Sequence, residues 1–219
     1  MKNRYALGAA RPQTPRSRLR HATEPVFFIV SMGWRIVLAI VALVAAPAAA
    51  QMLTIDRPQY RSVYDLQLLT PRQVEWTIHK SDLGNVDREP SWKFKADIPS
   101  RLAVARHQDY NKSGFHRGHL CPAQDRSSCR EDMMSTFSMA NICPQVPSLN
   151  VGRWKAVEMF CRVMARQNDS VSVVVVPIFL KRDTTFIGEH RVPVPHAFFK
   201  ALYMPANDSV IACWFMFNK

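Results

Sequence analysis

The spacing of apolar positions changes along the chain, and each change predicts an element. In "QVEWTIHK", residues 73–80, Val74, Trp76 and Ile78 alternate with Glu75, Thr77 and His79, a period of two that predicts a half-buried strand. The turn-forming residues of "SDLGNVDREPSW" then end it. "SVSVVVVPIFL", residues 170–180, is a continuous β-branched run, which suits a strand buried on both faces. Pro177 is expected to close its regular pairing, having no N–H to give. "DSVIACWFMF", residues 208–217, predicts a further strand. Between them, "LNVGRWKAVEMFCRVMARQN", residues 149–168, repeats Trp154, Val157, Cys161 and Met164 at three- and four-residue steps. That is the stripe of an amphipathic helix, and Asn150 stands where a cap belongs. Strands around one strong helix predict an α+β domain. The chain carries no repeat and no low-complexity tract.

The first fifty residues follow a different pattern. Ile36 to Ala50, "IVLAIVALVAAPAAA", is apolar throughout and ends in small residues, too short for the roughly 20 residues that span a bilayer. A basic flank, a short apolar stretch and an Ala-x-Ala end describe a secretory signal peptide, with cleavage expected between Ala50 and Gln51. Contact with a membrane would then be transient. Residues 1–50 form an N-terminal extension and signal peptide, and 51–219 form one domain. The rival reading, an uncleaved anchor running back through "VFFIV", is interrupted by Arg35.

Charge changes the picture only slightly. The chain has 29 Lys/Arg and 17 Asp/Glu. Residues 51–219 keep 22 of the basic and 16 of the acidic residues, a net charge of +6. A mildly basic domain is compatible with a polyanionic substrate without specifying one. All five cysteines lie after residue 120, and in an oxidising compartment some of them should pair, leaving at least one over.

The unusual chemistry sits in "SGFHRGHLCPAQDR", residues 113–126, where His116, Arg117 and His119 crowd around Gly118. A zinc site is poorly supported, because structural zinc usually takes ligands in two tight pairs and no Cys-x-x-Cys occurs. No Gly-x-Ser-x-Gly elbow marks a serine nucleophile. A base, a phosphate-binding cation and an oxygen ligand for a hard metal ion remain. His119 accepts protons near neutral pH, Arg117 offers a fork for phosphate oxygens, and the Asn150 amide oxygen suits magnesium. Glu158 lies about 80° around an ideal helix and roughly 12 Å along it from Asn150. Taken singly, each has a plainer reading: Asn150 as a cap, Arg117 paired with Asp125, Glu158 as a solvated residue beside Lys155.

Taken in order, "SGFHRGHLCPAQDR", "TFSMANICPQVPSLN" (136–150) and "GRWKAVE" (152–158) resemble the DNA/RNA non-specific endonucleases of the ββα-metal superfamily. The resemblance runs from about Val74 to about Phe215. It implies a mostly antiparallel sheet with one main helix carrying the metal ligand, and hydrolysis of DNA and RNA with Mg2+ or Mn2+. By the same resemblance His119 is the general base, Asn150 the direct metal ligand, and Asn141 a support for the histidine and for metal-bound waters. Glu158 would orient a metal-bound water, and Arg88 in "DREPSWKF" would be the upstream arginine that contacts phosphate.

The chain departs from the pattern in places. His116 stands where the family usually has Asp, and Val175-Val176 where it tends to have Thr-Gly. The chain also stops at "WFMFNK", where relatives commonly continue. These departures keep a second reading open, a catalytically weakened nucleic-acid-binding relative.

Overall fold

A computed structural model describes residues 51–99, 104–180, 184–207 and 209–219. The expected signal peptide and its cleavage point lie outside the described residues. Three N-terminal strands, β1 (Met52–Asp56), β2 (Arg61–Asp65) and β3 (Thr70–His79), form a meander. After a long excursion the chain returns through β6 (Ser170–Ile178), β9 (Ala197–Met204) and β10 (Ser209–Phe217). Together they make one antiparallel six-stranded sheet in the order β1-β2-β3-β6-β9-β10. The excursion holds the short pair β4 (His116–His119) and β5 (Ile142–Gln145), the helix α1 (Arg130–Ser135) and the main helix. A minor pair, β7 (Phe186–Ile187) and β8 (Val192–Pro193), lies between β6 and β9.

The β-branched run behaves as its composition predicts. Residues 171–177 of β6 are all buried, with β3 on one side and β9 on the other. Pro177 is a partial correction. Pairing with β3 ends at Val175, whereas pairing with β9 continues through Pro177 to Ile178. A residue with no N–H is tolerated there because one flank of the strand is already free. Val171, Val173 and Val175 pack with Val74, Trp76 and Ile78 against Trp154, Val157 and Cys161 of the helix. Each such side chain taken fully out of water contributes about 1.5–3 kcal/mol, which is what clamps the helix to the sheet.

The helix is less simple than its stripe. It opens with a short turn, α2 (Pro147–Leu149), passes through a π-helical turn at Asn150–Trp154, and straightens into α3 (Lys155–Asn168). Gly152 sits in the π turn at φ −101° and ψ −108°, outside helical values. Asn150 is therefore not the cap. Its own backbone is helical at φ −60° and ψ −45°, while Val146 caps the opening turn and Pro147 takes the first helical position, where a missing N–H costs nothing.

The expectation of paired cysteines is also corrected, since all five thiols are free. Cys121, Cys143 and Cys161 are apolar-core side chains, Cys129 accepts the Asp132 N–H at the start of α1, and Cys213 lies with a separate cluster around Val174 and Val176. They serve packing and capping in different places.

Candidate active site

The β4–β5 pair frames the site. Its register sets His116 opposite Gln145, Arg117 opposite Pro144, Gly118 opposite Cys143 and His119 opposite Ile142. Alternation along a strand sends His119 and Arg117 to one face and His116 to the other. Gly118 has a local cause: a Cβ there would run into the Gln145 side chain, which is fully buried. The β4 backbone thus comes up directly against Gln145.

His119 lies in an aromatic box. Its ring centroid is 5.0 Å from that of Phe94 and 4.9 Å from that of Phe137. The Arg88 guanidinium stands 4.9 Å over one ring of the box, Phe137. Phe94 is carried there by a strap, in which the Lys95 N–H donates to the Phe137 carbonyl and the Met139 N–H to the Lys95 carbonyl, both at 2.8 Å. Burial lowers the proton affinity of His119 to a pKa of about 3, with the Arg88 charge adding to it. The ring is therefore neutral at ordinary pH, and its Nε2 is buried with no hydrogen-bond partner among the described residues. An orphaned imidazole nitrogen in a box open to an arginine is a group awaiting a ligand or water.

The helix is fastened to this strand through Trp154, whose Nε1 donates to the His119 carbonyl at 3.1 Å. One turn earlier, Asn150 Nδ2 donates to His116 Nδ1 at 3.0 Å. One turn later is Glu158, whose carboxyl is raised to about 7, chiefly by burial and against the pull of the Lys200 ammonium. Lys200 is itself fully buried, 4.5 Å from the ring centre of Trp154 and 5.4 Å from that of Trp76. Beneath them, buried Asp125 accepts from Trp76 Nε1 at 3.0 Å and from Arg162 at 2.9 Å. Strand β3, the loop after β4 and helix α3 are thereby joined at one carboxylate.

The residues expected from sequence are distributed as follows. His119 and Arg88 share the aromatic box, and Asn150 and Glu158 share the helix that Trp154 docks on it. The amide of Asn141 is wholly buried and wholly committed. Its Oδ1 accepts the Cys121 N–H at 2.8 Å, and its Nδ2 donates to the carbonyls of Cys121 and Thr136 at 2.8 and 3.0 Å. Any support it gives His119 runs through the backbone two residues on. Arg117 commits Nε and Nη2 to the turn at 107–111, reaching the His107 carbonyl at 2.8 and 3.2 Å and Asn111 Oδ1 at 2.6 Å. Its plainer reading, a pair with Asp125, is replaced by the Arg162–Asp125 pair. Phe94, Phe137, Trp154 and Lys200 are further members of the site. Of these only Trp154 carried a signal, standing four residues from both Asn150 and Glu158.

Comparison with known proteins agrees with this geometry. The sequence pattern of the DNA/RNA non-specific endonucleases matches residues 43–218. A nuclease of Nostoc sp. is 32% identical over 119 residues, covering 54% of this chain and 43% of that protein. The zebrafish (Danio rerio) mitochondrial nuclease EXOG is 33% identical over 161 residues, covering 67% of this chain and 47% of that one. Human mitochondrial endonuclease G is 37% identical over 137 residues, covering 58% and 46%. The chain thus spans somewhat under half the length of these relatives. A crystal structure of endonuclease G with its inhibitor superposes with a TM-score of 0.68 at 23% identity, over 82% of this chain and 80% of that one. That likeness gives the α+β architecture as the ββα-metal nuclease fold. With hairpin, helix and sheet all inside the matched region, the chain belongs to the DNA/RNA non-specific endonuclease family.

Proposed function

We propose that the protein is an exported endonuclease that uses a divalent metal ion to hydrolyse phosphodiester bonds of DNA and RNA with little sequence preference. The observation that carries this reading is His119, held neutral between Phe94 and Phe137 with an unpartnered Nε2 and Arg88 alongside. A neutral imidazole in a partly open aromatic box is placed to take the proton of an attacking water. Arg88 offers an exposed guanidinium to the phosphate that His119 serves. Arg117 holds the turn at 107–111 through Nε and Nη2, so a phosphate contact from it would fall to Nη1.

The donor set fits a hard cation. With Nδ2 engaged by His116, Asn150 keeps its Oδ1 free of hydrogen bonds among the described residues, and a neutral amide oxygen suits an ion that retains most of its waters. Asn150 would hold Mg2+ or Mn2+, and Glu158 would accept from one of the ion's waters. When bound, such an ion neutralises charge developing on the phosphate as a Lewis acid. Export rests on the apolar segment at 36–50. No base-reading helix stands out among the described residues, so recognition is assigned to the sugar–phosphate backbone.

The test is incubation of the purified chain with plasmid DNA and with RNA, with and without EDTA. Cleavage of both that EDTA abolishes is the expected result. Well-folded protein that binds nucleic acid without cutting it would favour the weakened relative, for which His116 in place of the family Asp is the motive.

A further inference from the structure

His116 is the member of the His-Arg-Gly-His segment to which the proposed reaction gives no task. Its Nδ1 lies 3.0 Å from Asn150 Nδ2. A side-chain NH2 only donates, so Nδ1 carries the lone pair and the ring proton sits on Nε2. An acceptor at this point chooses between the two orientations of the amide. With Nδ2 turned to the ring, Oδ1 occupies the other arm and stays uncommitted. In the reverse orientation Oδ1 would face the Nδ1 lone pair with no proton between them. Both partners are fixed from behind: His116 is held in β4 opposite Gln145, and the Asn150 N–H donates to the Val146 carbonyl at 3.0 Å inside the helix opening.

We infer that His116 is a positioning residue for the metal-binding oxygen of Asn150, accepting the amide N–H and so directing Oδ1 to the divalent cation. This rests on the reading of Asn150 as the metal ligand and gives that ligand its orienting partner. Partners of this kind, one bond removed from the metal, typically change its affinity by about 10–100-fold when removed.

The measurement is Mn2+ binding to the full chain in the absence of nucleic acid, by titration calorimetry, with thermal melts as the check on folding. His116→Ala should weaken binding by about tenfold, the lower end of that range. His116→Asn, whose side-chain oxygen reaches the place of Nδ1, should restore it to within about threefold. Adding His116→Ala to Asn150→Ala should weaken binding no further, because the positioned oxygen is already gone. Parent-like binding by His116→Ala overturns the inference, and so does failure of a folded His116→Asn to restore it, or a second, additive loss in the double variant. Should His116→Ala not fold, His116→Asn and the double variant decide. Parent-like binding by Asn150→Ala overturns the metal-ligand reading itself, whereas its loss beside a parent-like His116→Ala overturns only the role of His116.

Discussion

Between two phenyl rings, an imidazole that takes up a proton must carry a charge without much water. This is why burial, with help from Arg88, brings His119 to about 3, and why the ring stays available as a base throughout the neutral range. A phosphodiester anion beside Arg88 offsets that arginine's charge and makes protonation easier. The acid limb of kcat/KM, which reports the free enzyme, should therefore lie well below the ordinary imidazole range, with the limb of kcat displaced to higher pH. Arg88→Ala removes one lowering cause and should move the kcat/KM limb upward. Coincident limbs in parent and variant would remove Arg88 from this role. His119→Ala should cost about 10²–10⁴-fold in turnover and leave Mn2+ affinity unchanged. Asn150→Ala should weaken metal binding, so that excess magnesium restores part of the rate. Rescue of His119→Ala by magnesium would refute that division of labour. The types of these residues were legible in the sequence because the proposed proton transfer and metal binding each need particular atoms. Their surroundings were not, since Phe94 and Phe137 reach His119 only through a strap of backbone hydrogen bonds.

Elements were legible where periodicity is strong, and not where the backbone departs from an ideal form. The alternation at 73–80 lies within β3 and the valine run lies in β6, but no spacing announces the π turn that carries Asn150 past the cap position. The β4–β5 pair was invisible for another reason. Four-residue strands have too short a period to detect, and this one is specified by the fit of Gln145 over Gly118. Gly118→Ala should consequently lower stability by about 1–3 kcal/mol, the usual cost of overpacking. The loss should shrink when Gln145→Ala makes room, which denaturant unfolding of the single and double variants would show. The junction beneath the site gives a second test. Arg162→Ala strips buried Asp125 of its cation, a change that typically costs about 3–5 kcal/mol. Replacing both partners should cost less than replacing Arg162 alone, because no uncompensated charge is then left inside.

Across the whole molecule, the strand order β1-β2-β3-β6-β9-β10 joins segments separated by almost a hundred residues, and such pairing follows from shared burial that no local window contains. The same long-range packing covers most of two titrating groups, with opposite effects on folding. His119 falls from 6.5 to about 3; its neutral burial favours the fold above the unfolded value, and that contribution is lost as pH falls from 6.5 toward 3. Glu158 rises from 4.5 to about 7; its contribution is fully present below 4.5 and is lost as pH rises through 7. Between 4.5 and 6.5 the unfolded chain holds an extra proton on the histidine, while the folded chain holds one on the glutamate. The two slopes oppose each other there, and their joint contribution to stability changes little. Glu158→Gln removes one side of that balance. In EDTA, the difference in Tm between variant and parent should become more favourable to the variant as pH rises from 4.5 to 7, then level off. Over the same interval the variant should lose stability on acidification more steeply than the parent. Thermal melts at half-unit pH steps would measure both curves. A difference that stayed constant with pH would place Glu158 in water, with an ordinary carboxyl, and would separate it from the buried Lys200 against which its carboxyl is set.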